Sequence, residues 1–383
     1  MKLEQTRWTA EHGWKKDRHP KDIQSLGNTA QLVLLFGQRN ALSDLTLTDT
    51  IKQAYPKAQI LGCSTAGEIC DIEVREDSLV ATAIEFEHTK VVGHSLSIAS
   101  AGNSYEAGKQ LAQQLERDSL THVFVLSDGL QVNGSELVRG LSQHLPESIS
   151  ITGGLSGDGA DFQKTLVMWN NEPQTGDIVV IGLYGNRLKV GCGSWGGWDT
   201  FGVERLVTSS HQNVLYQLDG KSALDLYKKY LGDHAANLPA SGLLFPLSQR
   251  TDTPETAVVR TILSVDEKQQ SLTFAGDIPE GSYVRLMKAN FDRLVDGAIE
   301  AAEKSLEGMG HAQPELAICI SCVGRKLVLK QRIEEEIEGV RDVLGEGPVI
   351  TGFYSYGEIA PFEAGTGCSL HNQTMTVTTF SEH

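Results

Sequence analysis

Three uninterrupted apolar runs mark the chain: QLVLLF at 31–36, HVFVLS at 122–127 and ELAICIS at 315–321. Runs of this length and β-branched content are expected of strands covered on both faces. Each leads through a helical segment to a second short strand, a spacing of about 30 residues from Leu32 to Gly62 and from Val123 to Gly153, and about 36 from Leu316 to Gly352. That is the length of a βαβ unit. Apolar positions three and four apart predict the helices: Leu137, Val138, Leu141 and Leu145, then Ile333, Ile337, Val340 and Leu344. Further stripes precede them at Ala107, Leu111 and Leu115, opened by Asn103 with Glu106 three residues on, and at Phe291, Leu294, Ala298, Ala302 and Leu306. Hairpin-like strand pairs are expected before these, LVATAIEF with VVGHSLSI and TAVVRTILSV with SLTFAG. The fold class is therefore α/β of mixed α+β type. Two homologous halves, each β-β-α-β-α-β, would carry mixed sheets.

Between the halves, residues 165–209 alternate apolar and polar positions with many glycines, as antiparallel strands do. The helix expected over 221–231 and the Pro/Gly-rich LPASGLLFPL place a junction near 225–240. The domains are an extension over 1–27, a first domain over 28–228 and a second over 229–383.

The second strand of each unit ends in a related turn. ILGCSTAGEI at 60–69 nearly matches a phosphate-binding loop, but Glu68 stands where that loop needs a lysine. VITGFYSYGEI at 349–359 repeats the frame, and ITGGLSGDGADF at 151–162 gives a looser version, which points to internal duplication.

Composition narrows the function. No apolar run approaches the roughly 20 residues of a membrane helix, and the first residues lack a signal-peptide pattern, so a cytoplasmic protein is expected. The six cysteines are scattered rather than spaced as a disulfide framework. A formal charge of −16 without a basic stripe argues against nucleic acid. Metal-spaced histidine pairs and a complete G-x-S-x-G elbow are both missing.

Taken with QLDGKSALDLYKKYLG, GDIPEGSYVRLM, SCVGRKLVL and LHNQTMTV, the turns strongly resemble the FIST sensory domain, N-terminal and C-terminal parts in order, over roughly residues 28 to 380. The resemblance implies a ligand-binding input module of prokaryotic signal transduction. It implies a stand-alone member, similar to the nitric-oxide-sensing haem proteins of the NosP group. Haem b, a partner histidine kinase, cyclic-di-GMP and biofilm control, and a homodimer follow as expectations.

The candidate ligand-lining residues are Gly62, Gly67 and Glu68 in the first turn and Tyr356, Gly357 and Glu358 in its counterpart. Cys322 and Arg325 follow a buried strand, where an arginine could fork onto a ligand carboxylate. His371 and Asn372 precede the last strand. Cys319 and Cys322 spell C-x-x-C, but Val323 stands where c-type haem attachment needs histidine. For a haem ligand, His211, His234 and His371 lie nearest apolar stretches, whereas His12, His19 and His383 are peripheral. Two alternatives stand beside the haem sensor. One is a module for an amino-acid-like metabolite without haem, relying on Arg325 and Glu358. The other is a hydrolase or transferase using Cys63, Ser64 or Cys322 as nucleophile.

Overall fold

The computed structural model describes residues 1–16, 26–170, 172–250, 258–361 and 367–383. His19 and the first residues of the strand expected from Thr256 lie outside them. The three apolar runs form the central strands of three six-stranded mixed sheets. In the first, Leu32–Gly37 pairs parallel with Gln59–Ser64 and antiparallel with Ser78–Glu85. In the second, Leu120–Ser127 pairs in the same way with Ser150–Leu155 and Asp177–Tyr184. In the third, Leu316–Cys322 does so with Val349–Ser355 and Met375–Glu382. The class is the mixed α/β one expected, and the repeating element within its two parts is one sheet, present three times.

Alternation along each central strand explains why the middle of each run, Leu32–Phe36, Val123–Leu126 and Leu316–Ile320, carries no polar residue. Leu34, Phe36, Phe124, Leu126, Ile318 and Ile320 point into one core shared by the three sheets. The intervening Val33 and Leu35 pack on helix Leu45–Ala54 through Leu47 and Ile51. Val123 and Val125 face helices Ser104–Gln114 and Gly134–Ser142, while Ala317 and Cys319 face Phe291–Met309 and Ile333–Leu344. Both faces are dry, so burial favours an apolar residue at every position.

The strand after each turn leaves its own sheet. Glu68–Cys70, from the first unit, pairs with Val349–Ser355 of the third. Val167–Trp169, from the second, pairs with Gln59–Ser64 of the first, and Gly357–Pro361, from the third, pairs with Ser150–Leu155 of the second. The three units are thus locked in a cycle. The expected hairpin of LVATAIEF with VVGHSLSI is not formed: Ser78–Glu85 stays in the first sheet, and Lys90–Ser97 joins the second beside Asp177–Tyr184. A short connection favours adjacency, but Ser78–Glu85 is buried along nearly its whole length between neighbours of the first sheet, whereas the half-buried Lys90–Ser97 forms the edge of the second.

A nine-stranded sheet with its own core around Leu215, Leu224, Phe274 and Val284 occupies residues 198–290, inserted between Leu188–Trp195 and helix Phe291–Met309 of the third unit. Here the second expected hairpin is present, Ile262–Asp266 against Ser271–Phe274. Among the described residues no helix is long and apolar enough to cross a membrane.

Candidate functional site

The carboxyl ends of the central strands all point to one end of the molecule, and their three turns interlock there. Ala66 N–H donates to Tyr354 O at 2.8 Å, Gly157 N–H to Ser64 O at 2.9 Å and Tyr356 N–H to Leu155 O at 3.2 Å. Each unit thereby donates to another unit and accepts from the remaining one. Strand ends at a topological crossing are where open α/β sheets leave room for ligands.

A cleft of about 270 Å³ opens beside this ring. Thr65, Ala66, Gly67 and Glu68 of the first turn form one wall, and Asp158 to Asp161 of the second unit form another. Helix Val323–Leu329 of the third unit supplies Val323, Lys326 and Leu327. Gln38 and Arg39, just past the first central strand, together with Glu76 and Asp77, complete the lining. Arg39 donates to Asp158 at 2.8 Å and lies 3.4 Å from Asp161. Asp158 is further held by the backbone N–H groups of Phe162, Gln163 and Lys164 and by the Tyr356 hydroxyl. Lys326 donates to Ala66 O at 2.5 Å and pairs with Glu76. Gly67 makes room for it: with φ +139°, an added Cβ would lie 2.9 Å from the lysine Nζ. Two cations and five carboxyl groups therefore share one small cleft.

Glu68 and Glu358 are equivalent buried clamps. Glu68 accepts from the hydroxyl of Thr65, from Ser78 Oγ at 2.5 Å and from Ser78 N–H at 3.3 Å. Glu358 accepts from Ser355 Oγ at 2.5 Å, Thr374 Oγ1 at 2.9 Å and Thr374 N–H at 3.2 Å. Each ties the departing strand to the start of the antiparallel strand it left behind. The second unit has Gly159 at this position, and Asp128 secures the corresponding strand start by accepting from Gly176 N–H at 2.9 Å. Burial raises Glu68 to about 7 and Glu358 to about 8, against which the hydroxyl donors act. Both carboxyls hold a proton in the fold that the unfolded chain releases above the ordinary carboxylate range. Their contribution to stability is complete at acid pH and lost as pH rises through 7 and 8, roughly 3 kcal/mol or more from each. Glu358→Gln is expected to flatten the fall in thermal midpoint between pH 6 and 9 relative to the parent, measured by calorimetry across that range.

The structure separates the other expected residues. Gly67 and Glu68 line the cleft, and Tyr356 stands behind Asp158 with its ring stacked on Phe162 at 4.6 Å. Gly62 lies in its strand against Leu35, and Gly357 opposes Leu155 in the second sheet. Arg325 is fully buried and forks onto the protein's own Glu336 at 2.7 and 3.0 Å. Cys322 and Cys63 are buried with their thiols pushed up by burial, and Ser64 Oγ accepts from Leu166 N–H, so none of the three is presented as a nucleophile. His371 is buried with Nε2 3.0 Å from Ala360 O, and burial lowers it to about 4. Asn372 bridges Tyr356 O and Thr261 N–H. His211 and His234 are exposed on the inserted domain, the latter against Phe245.

Among the described residues no histidine, cysteine or tyrosine lines the cleft. A haem needs such an axial ligand facing an apolar space, and the three expected histidines do not fit one. Among the described residues no His/Cys/Asp/Glu cluster is arranged to hold a metal ion. Arg39, Asp158, Asp161 and Lys326 went unselected as ligand contacts in the sequence, where lone charges read as solvated. Their signal was position, each lying just past the end of a buried strand.

The chain is 26% identical over 318 residues to an uncharacterized protein of Methanocaldococcus jannaschii, covering 76% of this chain and 59% of that relative's length. It also aligns with the crystal structure of a cyanuric acid hydrolase from A. caulinodans, over 77% of this chain and 99% of the other, at 10% identity and a TM-score of 0.18, too low to carry an inference. The FIST N domain model matches residues 31–221 and the FIST C domain model residues 223–361. With both domains present in order across most of its length, the chain belongs to the FIST family.

Proposed function

We propose that the cleft beside the interlocked turns binds a small zwitterionic metabolite of amino-acid type, and that the protein reports its occupancy to a signalling partner without haem. FIST domains are sensor domains of signal transduction that bind small ligands and signal to partners. The observation that carries the finer reading is the pairing of Arg39 and Lys326 with five carboxyl groups in about 270 Å³, just below the roughly 300–1,000 Å³ of drug-sized pockets. A ligand carboxylate would take the Arg39 fork, which now spans Asp158 and Asp161. Its ammonium group would meet Glu68, Glu76 and Asp77. A histidine kinase remains the partner implied by the family resemblance.

The test is a thermal-shift screen of the twenty L-amino acids against the parent and Arg39→Ala. The expected result is a rise of several degrees with one or a few of them, absent in the variant. A silent panel, or stoichiometric haem uptake with a Soret band that responds to nitric oxide, would overturn the reading. Because Glu68 sits near 7, an ammonium group beside it favours the ionised carboxylate. Affinity for the amino acid that scores is therefore expected to rise from pH 6 to pH 8 with release of a proton, and calorimetry should find that dependence removed in Glu68→Gln.

A further inference from the structure

Gln373 is strained and incompletely satisfied, and it sits between the cleft and the inserted domain. Its backbone is left-handed at φ +63°, a costly conformation for a residue with a Cβ. The buried side chain donates from Nε2 to Leu243 O at 3.0 Å, while Oε1 has no partner among the described residues. Its carbonyl accepts the Trp198 indole N–H at 3.1 Å. Leu243 and Trp198 belong to the inserted domain. On the opposite side the amide presses on Gly324, where an added Cβ would meet Nε2 at 2.2 Å. Gly324 lies in helix Val323–Leu329, between two cleft residues, Val323 and Lys326.

We infer that Gln373 couples the cleft to the inserted domain. A shift of helix Val323–Leu329, imposed where Lys326 reaches Ala66, displaces the amide and is passed to the segment Ala240–Leu244. A buried acceptor without a donor and a rare backbone conformation mark an element that can settle differently at small cost. Such an element is what a ligand with unequal affinity for two arrangements can bias. The biological meaning rests on the cleft being the ligand site, but the test uses no ligand and so can fail separately.

Amide hydrogen exchange over residues 240–247 is measured in the full chain for the parent, Lys326→Met, Gln373→Gly and the double variant. Glycine accepts the left-handed conformation, so Gln373→Gly is expected to fold; Gln373→Asn, which also tolerates it, is the second variant. Lys326→Met is expected to change exchange in 240–247 about tenfold, within the range of coupling between sites, without altering Leu120–Ser127. In the Gln373→Gly background the same substitution should leave 240–247 unchanged. An equal response in both backgrounds, or none in either, overturns the coupling.

Discussion

Arg325→Ala is expected to lower stability by about 3–5 kcal/mol, the range for removing one partner of a buried ion pair. Neither Arg325 nor Glu336 has any exposed side-chain surface. The guanidinium also donates to Gly196 O at 2.5 Å and Leu294 O at 2.6 Å, so three helices and the loop after Leu188–Trp195 meet on it. Glu336 accepts in addition from Ser321 at 3.1 Å and Tyr354 at 2.6 Å. Truncation leaves that carboxylate and two carbonyls buried without their donor. Arg325→Met combined with Glu336→Leu removes both charges and should recover a large part of the loss, since an apolar pair needs no compensation. Denaturation midpoints of the two single variants and the double variant decide the matter. Equal losses in single and double variants would mean that packing, rather than the unpaired charge, sets the cost.

Gly352→Ala is expected to cost as much or more. Gly352 faces Cys319 in the parallel pair at the centre of the third sheet, and a Cβ there would lie 1.8 Å from the Cys319 carbonyl oxygen. Backbone atoms in a central strand cannot step aside as a flexible side chain can, so the strands must separate and lose ladder hydrogen bonds. Gly153 repeats the geometry at 1.9 Å from Val125 O, and Gly62 has a looser version at 2.6 Å from Leu35 O. The order of damage for the alanine variants is therefore Gly352 and Gly153 first, Gly62 less. Gly352→Ala should lose more than about 4 kcal/mol. Gly347→Ala, whose added Cβ would meet nothing closer than Pro314 O at 3.9 Å among the described residues, is the neutral control. Thermal midpoints and soluble yield across the four variants check the series.

These glycines were legible in the sequence as a repeated frame, but their reason was not. Periodicity reports burial of a residue, not which backbone passes its Cα. The same limit explains the strands: Leu32–Gly37, Leu120–Ser127 and Leu316–Cys322 declared themselves because both faces are buried. The partners of Glu68–Cys70 and Gly357–Pro361 lie in other units, and no local pattern encodes them. Glu68 and Glu358 were recognisable as unusual, since an acid inside a glycine-framed turn invites explanation. That they clamp Ser78 and Thr374 depends on which strand begins beside them in space. Arg325 looked like a free cation because its acid lies eleven residues on, across a turn between two helices.

The cyclic exchange of strands bears on how the chain comes off the ribosome. Glu68–Cys70 finds its partner, Val349–Ser355, only after about 280 further residues have been made, and Ser150–Leu155 waits about 200 residues for Gly357–Pro361. Nascent first and second units must hold open sheet edges through most of synthesis, a situation that slows folding and invites wrong pairing. The FIST N segment produced alone would keep those edges permanently, so the two family domains are expected to fold and unfold together rather than as separable modules.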